Sequence, residues 1–361
     1  MSFYYKYDYL WIMKRIKPTG IVLPIIFFVA VYLTGCTQNA APTSRTSLDW
    51  LGTTITITVY DRVNSNTMDA VFSRIEDIHT KMSLQLPTSE ISRINAAAGD
   101  SPVSVSPDTY YVIQRAMEIA EASQGAFDPT IGPLVSLWDI TGTPYLPTQA
   151  ELDELIPLVN YRLVELSPEN RSVYLPLQGM KLDLGAIAKG YAADESASIL
   201  RDAGVEHAIL DLGGNIVVMG NKPDDSPWRV GIQNPFSPRG SHLAIYAAKN
   251  QTLVSSGMYE RFFIQDGIRY HHILDPSTGF PAEAGIAGVT IISDSSILAD
   301  ALSTASFVLG VEKGMNLISR YPGVEAIFIT YGQEIITSKS MNNQLNYTDE
   351  DFSNTTYSGT R

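Results

Sequence analysis

HAILDLGGNIVVMG, residues 207–220, is the stretch on which the fold turns. Two short apolar runs, 207–212 and 216–219, flank Gly213-Gly214. A dinucleotide-binding βαβ unit would carry GxGxxG here and run on into a helix. The glycine spacing is wrong for that motif, and a second strand follows instead. The same texture recurs at 228–232, 243–248, 261–264, 268–270 and 288–292, short apolar runs split by Gly, Pro, Asn and Asp. Such a series predicts a meandering, largely antiparallel sheet.

Helical signals lie on either side of these strands. Residues 53–60 (TTITITVY) alternate strictly and predict a strand. Val71, Ile75, Ile78 and Met82 then recur at helical spacing. Ser106-Pro107 reads as an N-cap followed by proline at the first helical position, and Thr148 with Glu151 as a capping box. Further helices are expected over 186–203, from Ser296 through LADALSTASFVLG, and over 312–320, with a strand pair at 325–330 and 334–337. Helices early and late around an antiparallel middle give an α+β fold, a single domain with flanking helices, in preference to a doubly wound sheet.

The chain has 361 residues, 45% hydrophobic and 17% charged, enough to bury a sizeable core. Its net charge of −13 argues against nucleic acid as a partner. An anionic ligand would have to be met by a bound cation or by backbone N–H groups. The one cysteine, Cys36, excludes an intramolecular disulfide. Lys14, Arg15 and Lys17 precede an apolar stretch over 21–33, and Leu33-Thr34-Gly35-Cys36 follows, a bacterial lipobox in form. We therefore expect a lipoprotein signal over 1–35, lipidation at Cys36 and an extracytoplasmic, membrane-anchored chain, with Met13 as an alternative start. Residues 36–47 are expected to form a tether, 48–340 one folded domain, and the Asn- and Ser-rich 341–361 a disordered tail.

Several groups of residues carry chemistry. Asp300 and Thr304 are four apart on one helix face. A carboxylate beside a hydroxyl makes an oxygen-only niche that suits Mg²⁺, with other positions left for water and phosphate. The same pair also fits an Asp near a helix start and a Thr bonding back to its own backbone. In LDLGAIAKGYAAD (182–194), Asp183 precedes Gly185-Ala186 and a helix N-terminus, a natural seat for phosphate, with Lys189 in reach; an Asp-capped turn is the alternative. GAFDPTIGPLVSLW (125–138) reads as a rigid loop able to line a planar ligand, or as a surface loop with a buried Phe. In HHILDPSTGFP (271–281), His272 is a candidate general base or simply a strand-end histidine beside a turn. Ser255, His272 and Asp275 suggest a hydrolase triad, but no GxSxG elbow is present.

Taken in order, GAFDPTIGPLVSLW, LDLGAIAKGYAAD, DLGGN, SSGMYERFF, HHILDPSTGFP and ADALSTASFVLG resemble the ApbE family of FAD:protein FMN transferases, over about residues 50–337. The resemblance implies a single α+β domain that moves FMN from FAD to a Thr or Ser hydroxyl of a target protein and releases AMP. It implies Mg²⁺ held by Asp300, Thr304 and the carbonyl of Ala186. It implies an FAD site lined by Leu51, Ala126, Phe127, Asp128, Asp183, Lys189 and Leu274, with His272 taking the acceptor proton. Partners would be extracytoplasmic domains of flavin-accepting membrane redox proteins. Two positions depart from the family pattern: Leu51 stands where a Met packs on flavin, and Leu84-Gln85 follow Met82-Ser83 where an aromatic is usual. FAD hydrolysis to FMN and AMP, or flavin binding without turnover, are the alternatives.

Overall fold

A nine-stranded sheet runs through the domain, and the order of its strands explains where the site lies. The structure, a computed structural model, describes residues 41–341 and 344–359. In chain order the strands are β1 (Thr43–Trp50), β2 (Thr53–Val59), β3 (Val103–Ser104), β4 (Glu165–Ser167), β5 (Ser172–Tyr174), β6 (Ala208–Leu212), β7 (Asn215–Met219), β8 (Trp228–Gln233), β9 (His242–Ala248), β10 (Gln251–Gly257), β11 (Phe262–Gln265), β12 (Ile268–His271), β13 (Ile286–Ser293), β14 (Glu325–Thr330), β15 (Glu334–Thr337), β16 (Leu345–Tyr347) and β17 (Ser353–Thr356). The helices are α1 (Ser65–Met82), α2 (Glu90–Ala96), α3 (Pro107–Ala122), α4 (Gly132–Trp138), α5 (Gln149–Leu155), α6 (Ala188–Asp202) and α7 (Ser296–Ile318). The large sheet has the order β1-β2-β6-β7-β10-β13-β14-β15-β17. All its pairings are antiparallel except β15 with β17. The fold is α+β, as the strand texture predicts.

One face of this sheet meets the helices, the other a small three-stranded sheet. Ile55, Ile57 and Val59 of β2 are fully buried with Val71, Ile75 and Ile78 of α1 and with the apolar faces of α6 and α7. Each such side chain contributes about 1.5–3 kcal/mol by leaving water. On the opposite face Trp228, Leu243 and Tyr246 of β8 and β9 cover Val218, Leu253, Ile292 and Ile327. Strand β13, covered on both faces, is buried along its whole length.

The capping signals hold: Ser106 caps α3, and Thr148 with Glu151 completes the box at α5. The two late helices are one unit interrupted at Gly310, whose φ of 72° breaks the helical path as the break in the sequence pattern predicts. Five expectations need correction. Residues 43–47, read as tether, open β1, an exposed edge strand whose Ser44 and Thr46 hydroxyls meet Thr58 and Thr56 of β2. Its polarity concealed it. The tail read as disordered forms β16 and β17, held by backbone pairing to β9 and β15 and by Leu345 and Phe352, which are buried in the core beneath β8 and β9. Half of the 125–138 loop is helix α4, with Pro133 in its first turn. The helix expected from Ala186 starts at Ala188. Residues 251–257, not expected as a strand, form β10 in the middle of the sheet. The lipobox and Cys36 lie outside the described residues. Among the described residues no helix is long and apolar enough to cross a membrane.

A charge network fastens α6 to α1 and α3. Asp108 accepts hydrogen bonds from Arg74 (2.8 Å), Lys81 (2.7 Å) and the Tyr191 hydroxyl (2.8 Å), and Arg74 also reaches Glu195 (2.7 Å). The Arg74 guanidinium above all, with Lys81 and Tyr191, holds the Asp108 carboxyl far below the usual carboxylate range. A depressed carboxyl stabilises the fold above its unfolded pKa and loses that contribution as pH falls below it. Replacing Asp108 by Asn leaves Arg74 and Lys81 without their shared counter-charge. Because these side chains are about a fifth exposed, we expect a loss of about 2 kcal/mol rather than the larger cost of a fully buried pair. Urea unfolding at pH 7 measures it, and an unchanged midpoint would contradict the assignment.

Candidate functional site

The site is a cleft of about 700 Å³ at one end of the large sheet. Its walls come from the β1–β2 turn, the segment leading into α4, the turn before α6, the end of β10, the residues flanking the β11–β12 hairpin, and the first turns of α7. Every residue expected to bind flavin or metal lies on it: Leu51, Ala126, Phe127, Asp128, Asp183, Ala186, Lys189, His272, Leu274, Asp300 and Thr304.

The floor depends on a close crossing of α6 and α7. A Cβ on Gly190 would come within 2.3 Å of the Ser296 carbonyl oxygen and 2.7 Å of the Ile297 Cα, so only glycine fits. The N-terminus of α7 is capped from outside: Asp194 on α6 accepts from the backbone N–H of Ser296 (2.8 Å) and Ile297 (3.0 Å). Burial pushes the Asp194 carboxyl up, and these N–H groups pull it back. This cap sets the register of α7 against α6 and brings Asp300 to the start of α6.

There the Asp300 carboxylate, with its side chain 4% exposed, accepts the Gly190 N–H at 2.9 Å and faces Lys189 Nζ at 3.2 and 3.4 Å. Lys189 also donates to the Gly185 carbonyl at 3.1 Å. The hydroxyl that bonds back to the Asp300 carbonyl belongs to Ser303 (2.8 Å), which in turn meets Ser256 of β10 (2.8 Å). Thr304 is half-buried on the cleft wall. The Asp300 carboxylate, the Thr304 hydroxyl and the Ala186 backbone line the same cleft, with Lys189 between Asp300 and the Gly185 carbonyl, and together they offer only oxygen donors. That set fits Mg²⁺, which binds few protein oxygens and retains water and phosphate. Among the described residues no cluster of three or more His, Cys, Asp or Glu forms a denser metal site.

Around this floor stand groups suited to an anionic, partly aromatic ligand. Asp183 receives the Gly185 N–H (2.7 Å); burial raises its carboxyl pKa, and Lys189 and Arg261 oppose the rise. His272 Nδ1 lies 3.2 Å from the Arg261 carbonyl, an arrangement that assigns the proton to Nδ1 and leaves Nε2 as the acceptor. Burial, then the Arg261 charge, lowers the His272 pKa to about 3, so the ring is neutral at pH 7. Phe127 and Leu274 are buried, and Leu51 sits at the first position of the two-residue β1–β2 turn with φ 51°, its N–H donating to His79 Nδ1 (3.2 Å). An aliphatic residue in left-handed backbone is uncommon and held by its surroundings. The departures at Leu84 and Gln85 also face this cleft.

Asp128 lines the cleft, as expected, and also organises its own loop. Both its oxygens are taken, by Thr130 N–H and hydroxyl (2.8 and 2.6 Å) and by the Tyr161 N–H (3.0 Å). It shapes the loop that presents Phe127. The Ser–His–Asp triad is not assembled: Asp275 accepts from Ser277, and His272 donates to the Arg261 carbonyl at the base of its own hairpin. Sequence reasoning missed Arg239 and Arg261, both on the cleft wall. Arg261 was within reach, since it stands in SSGMYERFF as an isolated cation in an acidic chain. It missed Gly190 and Asp194 because their roles exist only across the helix crossing.

The ApbE family model matches residues 51–328. The chain is 37% identical to the FAD:protein FMN transferase of Treponema pallidum (strain Nichols), over 79% of this chain and 83% of that one. It is 37% identical to the FAD:protein FMN transferase of Klebsiella pneumoniae (strain 342), over 80% and 89% respectively. The crystal structure of an ApbE protein from Thermotoga maritima superposes with a TM-score of 0.77 at 33% identity, covering 84% of this chain and 99% of its own. The flavin transferase ApbE from Vibrio cholerae gives 0.71 at 29% identity, covering 80% and 93%.

Proposed function

Because the chain belongs to the ApbE family, we propose that it is an FAD:protein FMN transferase that uses Mg²⁺ to move FMN from FAD onto a Thr or Ser hydroxyl of a target protein. The observation that carries this reading is the buried Asp300 carboxylate beside Thr304, on the floor of the cleft that also holds His272. Flavin binding alone needs no such cation site.

Leu51, Phe127 and Leu274 offer the apolar wall that a flavin ring requires, and Lys189 and Arg261 give positive charge to its diphosphate. Asp300 and Thr304, with the Ala186 carbonyl as a further oxygen, would hold Mg²⁺, which would neutralise the diphosphate and the charge gathering on the leaving phosphate. His272 takes the acceptor proton. The hydroxyl oxygen bonds to the flavin-side phosphorus, the bridging P–O bond breaks, and AMP leaves with the electron pair. The bond to the Arg261 carbonyl keeps Nε2 free for that proton. Charge entering with the diphosphate offsets Arg261 and raises the basicity of the ring when it is needed. No nucleophile of this chain is required, so positioning and charge carry the rate.

Incubation with FAD, Mg²⁺ and a flavin-accepting domain of a membrane redox protein should give a fluorescent acceptor band and one AMP per label. FMN and AMP without label would make the chain a pyrophosphatase; neither product would make it a binder. Gly190→Ala tests the helix crossing. Its methyl must push backbone aside, and displacements near 1 Å cost about a hundredfold in rate. We expect labelling to fall by that order with far-UV circular dichroism retained; wild-type labelling would contradict it.

We propose that the chain is extracytoplasmic, on the periplasm side in a Gram-negative envelope, and anchored to a bacterial membrane by lipid on Cys36. The basic residues 14–17, the apolar run 21–33 and the sole cysteine at the end of a lipobox support this. Acceptors on extracytoplasmic domains of membrane proteins would then share its compartment.

A further inference from the structure

The β11–β12 hairpin grows directly out of the cleft. Arg261 immediately precedes β11 and His272 immediately follows β12. The Arg261 carbonyl accepts the His272 N–H at 3.1 Å, closing the ribbon with the same two residues that face the substrate. Among the described residues the hairpin pairs only with itself, in the register Phe262↔His271 to Gln265↔Ile268, and it turns through Asp266 and Gly267 at positive φ. Its inner half is anchored: Phe263 and Tyr270 stack 5.2 Å apart and pack on the fully buried Trp138. Its outer half is not. Ile264 is 61% exposed and Ile268 56%.

Two features of this ribbon ask for a partner. An exposed two-stranded ribbon is marginal by itself, and its open edges are templates for another strand. In the two-residue hairpin pattern, Gln265–Ile268, Phe263–Tyr270 and Arg261–His272 bond to each other. Phe262 and Ile264 therefore turn their backbone N–H and C=O groups outward. Ile264 stands bare beside those outward groups, Phe262 lies under the Arg269 guanidinium (4.2 Å), and β11 carries none of the Lys or Pro that commonly blunts an edge.

We propose that this hairpin is the docking edge for the acceptor protein: an extended segment carrying the receiving hydroxyl pairs along β11, with Ile264 and Ile268 gripping its flanks. The proposal rests on the transferase reading, since only that reaction brings a polypeptide to the cleft. Continuity argues for the acceptor over other occupants. A strand laid along β11 from its tip toward Arg261 is led to the side of His272, where its hydroxyl must arrive. Backbone pairing, which does not depend on side-chain identity, also suits a catalyst that handles a segment of another protein.

The test is the double substitution Ile264→Lys, Ile268→Lys in the full chain, both sites being solvent-facing and outside the cleft. The probe is a purified flavin-accepting domain, with the same domain bearing valine for its receiving threonine as blank. Labelling is followed against acceptor concentration, FAD binding by flavin fluorescence, and oligomeric state by sedimentation. The docking role predicts a KM for the acceptor at least tenfold higher, with kcat at saturating acceptor and FAD affinity within twofold of wild type. Unchanged labelling at limiting acceptor overturns it. So does weakened FAD binding, which would assign the ribbon to the cleft, or loss of a dimer with labelling intact, which would assign it to a second copy. Failure of the wild-type chain to label any acceptor defeats the transferase reading itself and the docking role with it. If the lysines unfold the ribbon, Ile264→Ser with Ile268→Ser must still raise the acceptor KM at least threefold.

Discussion

Asp300→Asn should remove FMN transfer almost completely, by about a thousandfold, or about 4 kcal/mol of transition-state stabilisation. Asn keeps an oxygen that accepts the Gly190 N–H, now at 2.9 Å from the carboxylate, so the α6–α7 crossing survives. It loses the charge that faces Lys189 and the charge that a divalent ion needs. The variant should therefore fold, bind FAD and fail to transfer. Acceptor labelling followed by in-gel flavin fluorescence in Mg²⁺ is the check; near wild-type labelling would refute the metal assignment.

His272→Ala should be nearly as severe, a loss of about 10²–10⁴ in rate with FAD affinity little changed. The wild-type pH profile carries a sign. The ring works in its neutral form, and burial followed by the Arg261 charge lowers its pKa to about 3. On acidification it stays neutral well below the ordinary histidine range. The kcat/KM profile, which reports the free enzyme, should thus show no acid limb near pH 6.5 from this group. Removing the positive charge with Arg261→Gln raises the pKa and moves the limb toward neutral pH. An acid limb between pH 6 and 7 in the wild-type chain would show that the imidazole is not held in this way.

Much of the fold was legible because its signals are local. The strict alternation of β2, the capping box at Thr148 and the glycine break within α7 each depend on neighbours within a few residues. What escaped reading has long-range causes. Strand β1 is a hydroxyl-rich edge whose stability comes from pairing with β2, and β17 is held by the backbone of β15. Strand β10 ends in Ser255-Ser256-Gly257, which looks like loop, yet its hydroxyls bond Thr290 and Ser303 and turn a polar end toward the cleft. The candidate site divides in the same way. Asp300, Thr304, Lys189 and His272 declared themselves by chemistry and motif. Their assembly rests on Gly190 and Asp194, whose work is a helix contact between segments about 100 residues apart. Asp128 was legible as a residue of the cleft, while its bonds to Thr130 and Tyr161 were not.

The central claim is a divalent ion clasped between the α7 floor and the turn into α6, where it meets the diphosphate of FAD. Crystals grown with FAD and Mn²⁺ in place of Mg²⁺ test it most directly, through the anomalous signal. The account predicts one strong peak within about 2.3 Å of an Asp300 carboxylate oxygen and of the Thr304 hydroxyl, touching a diphosphate oxygen. FAD seated in the cleft with no peak at that position, or with the ion held by other residues, would contradict it.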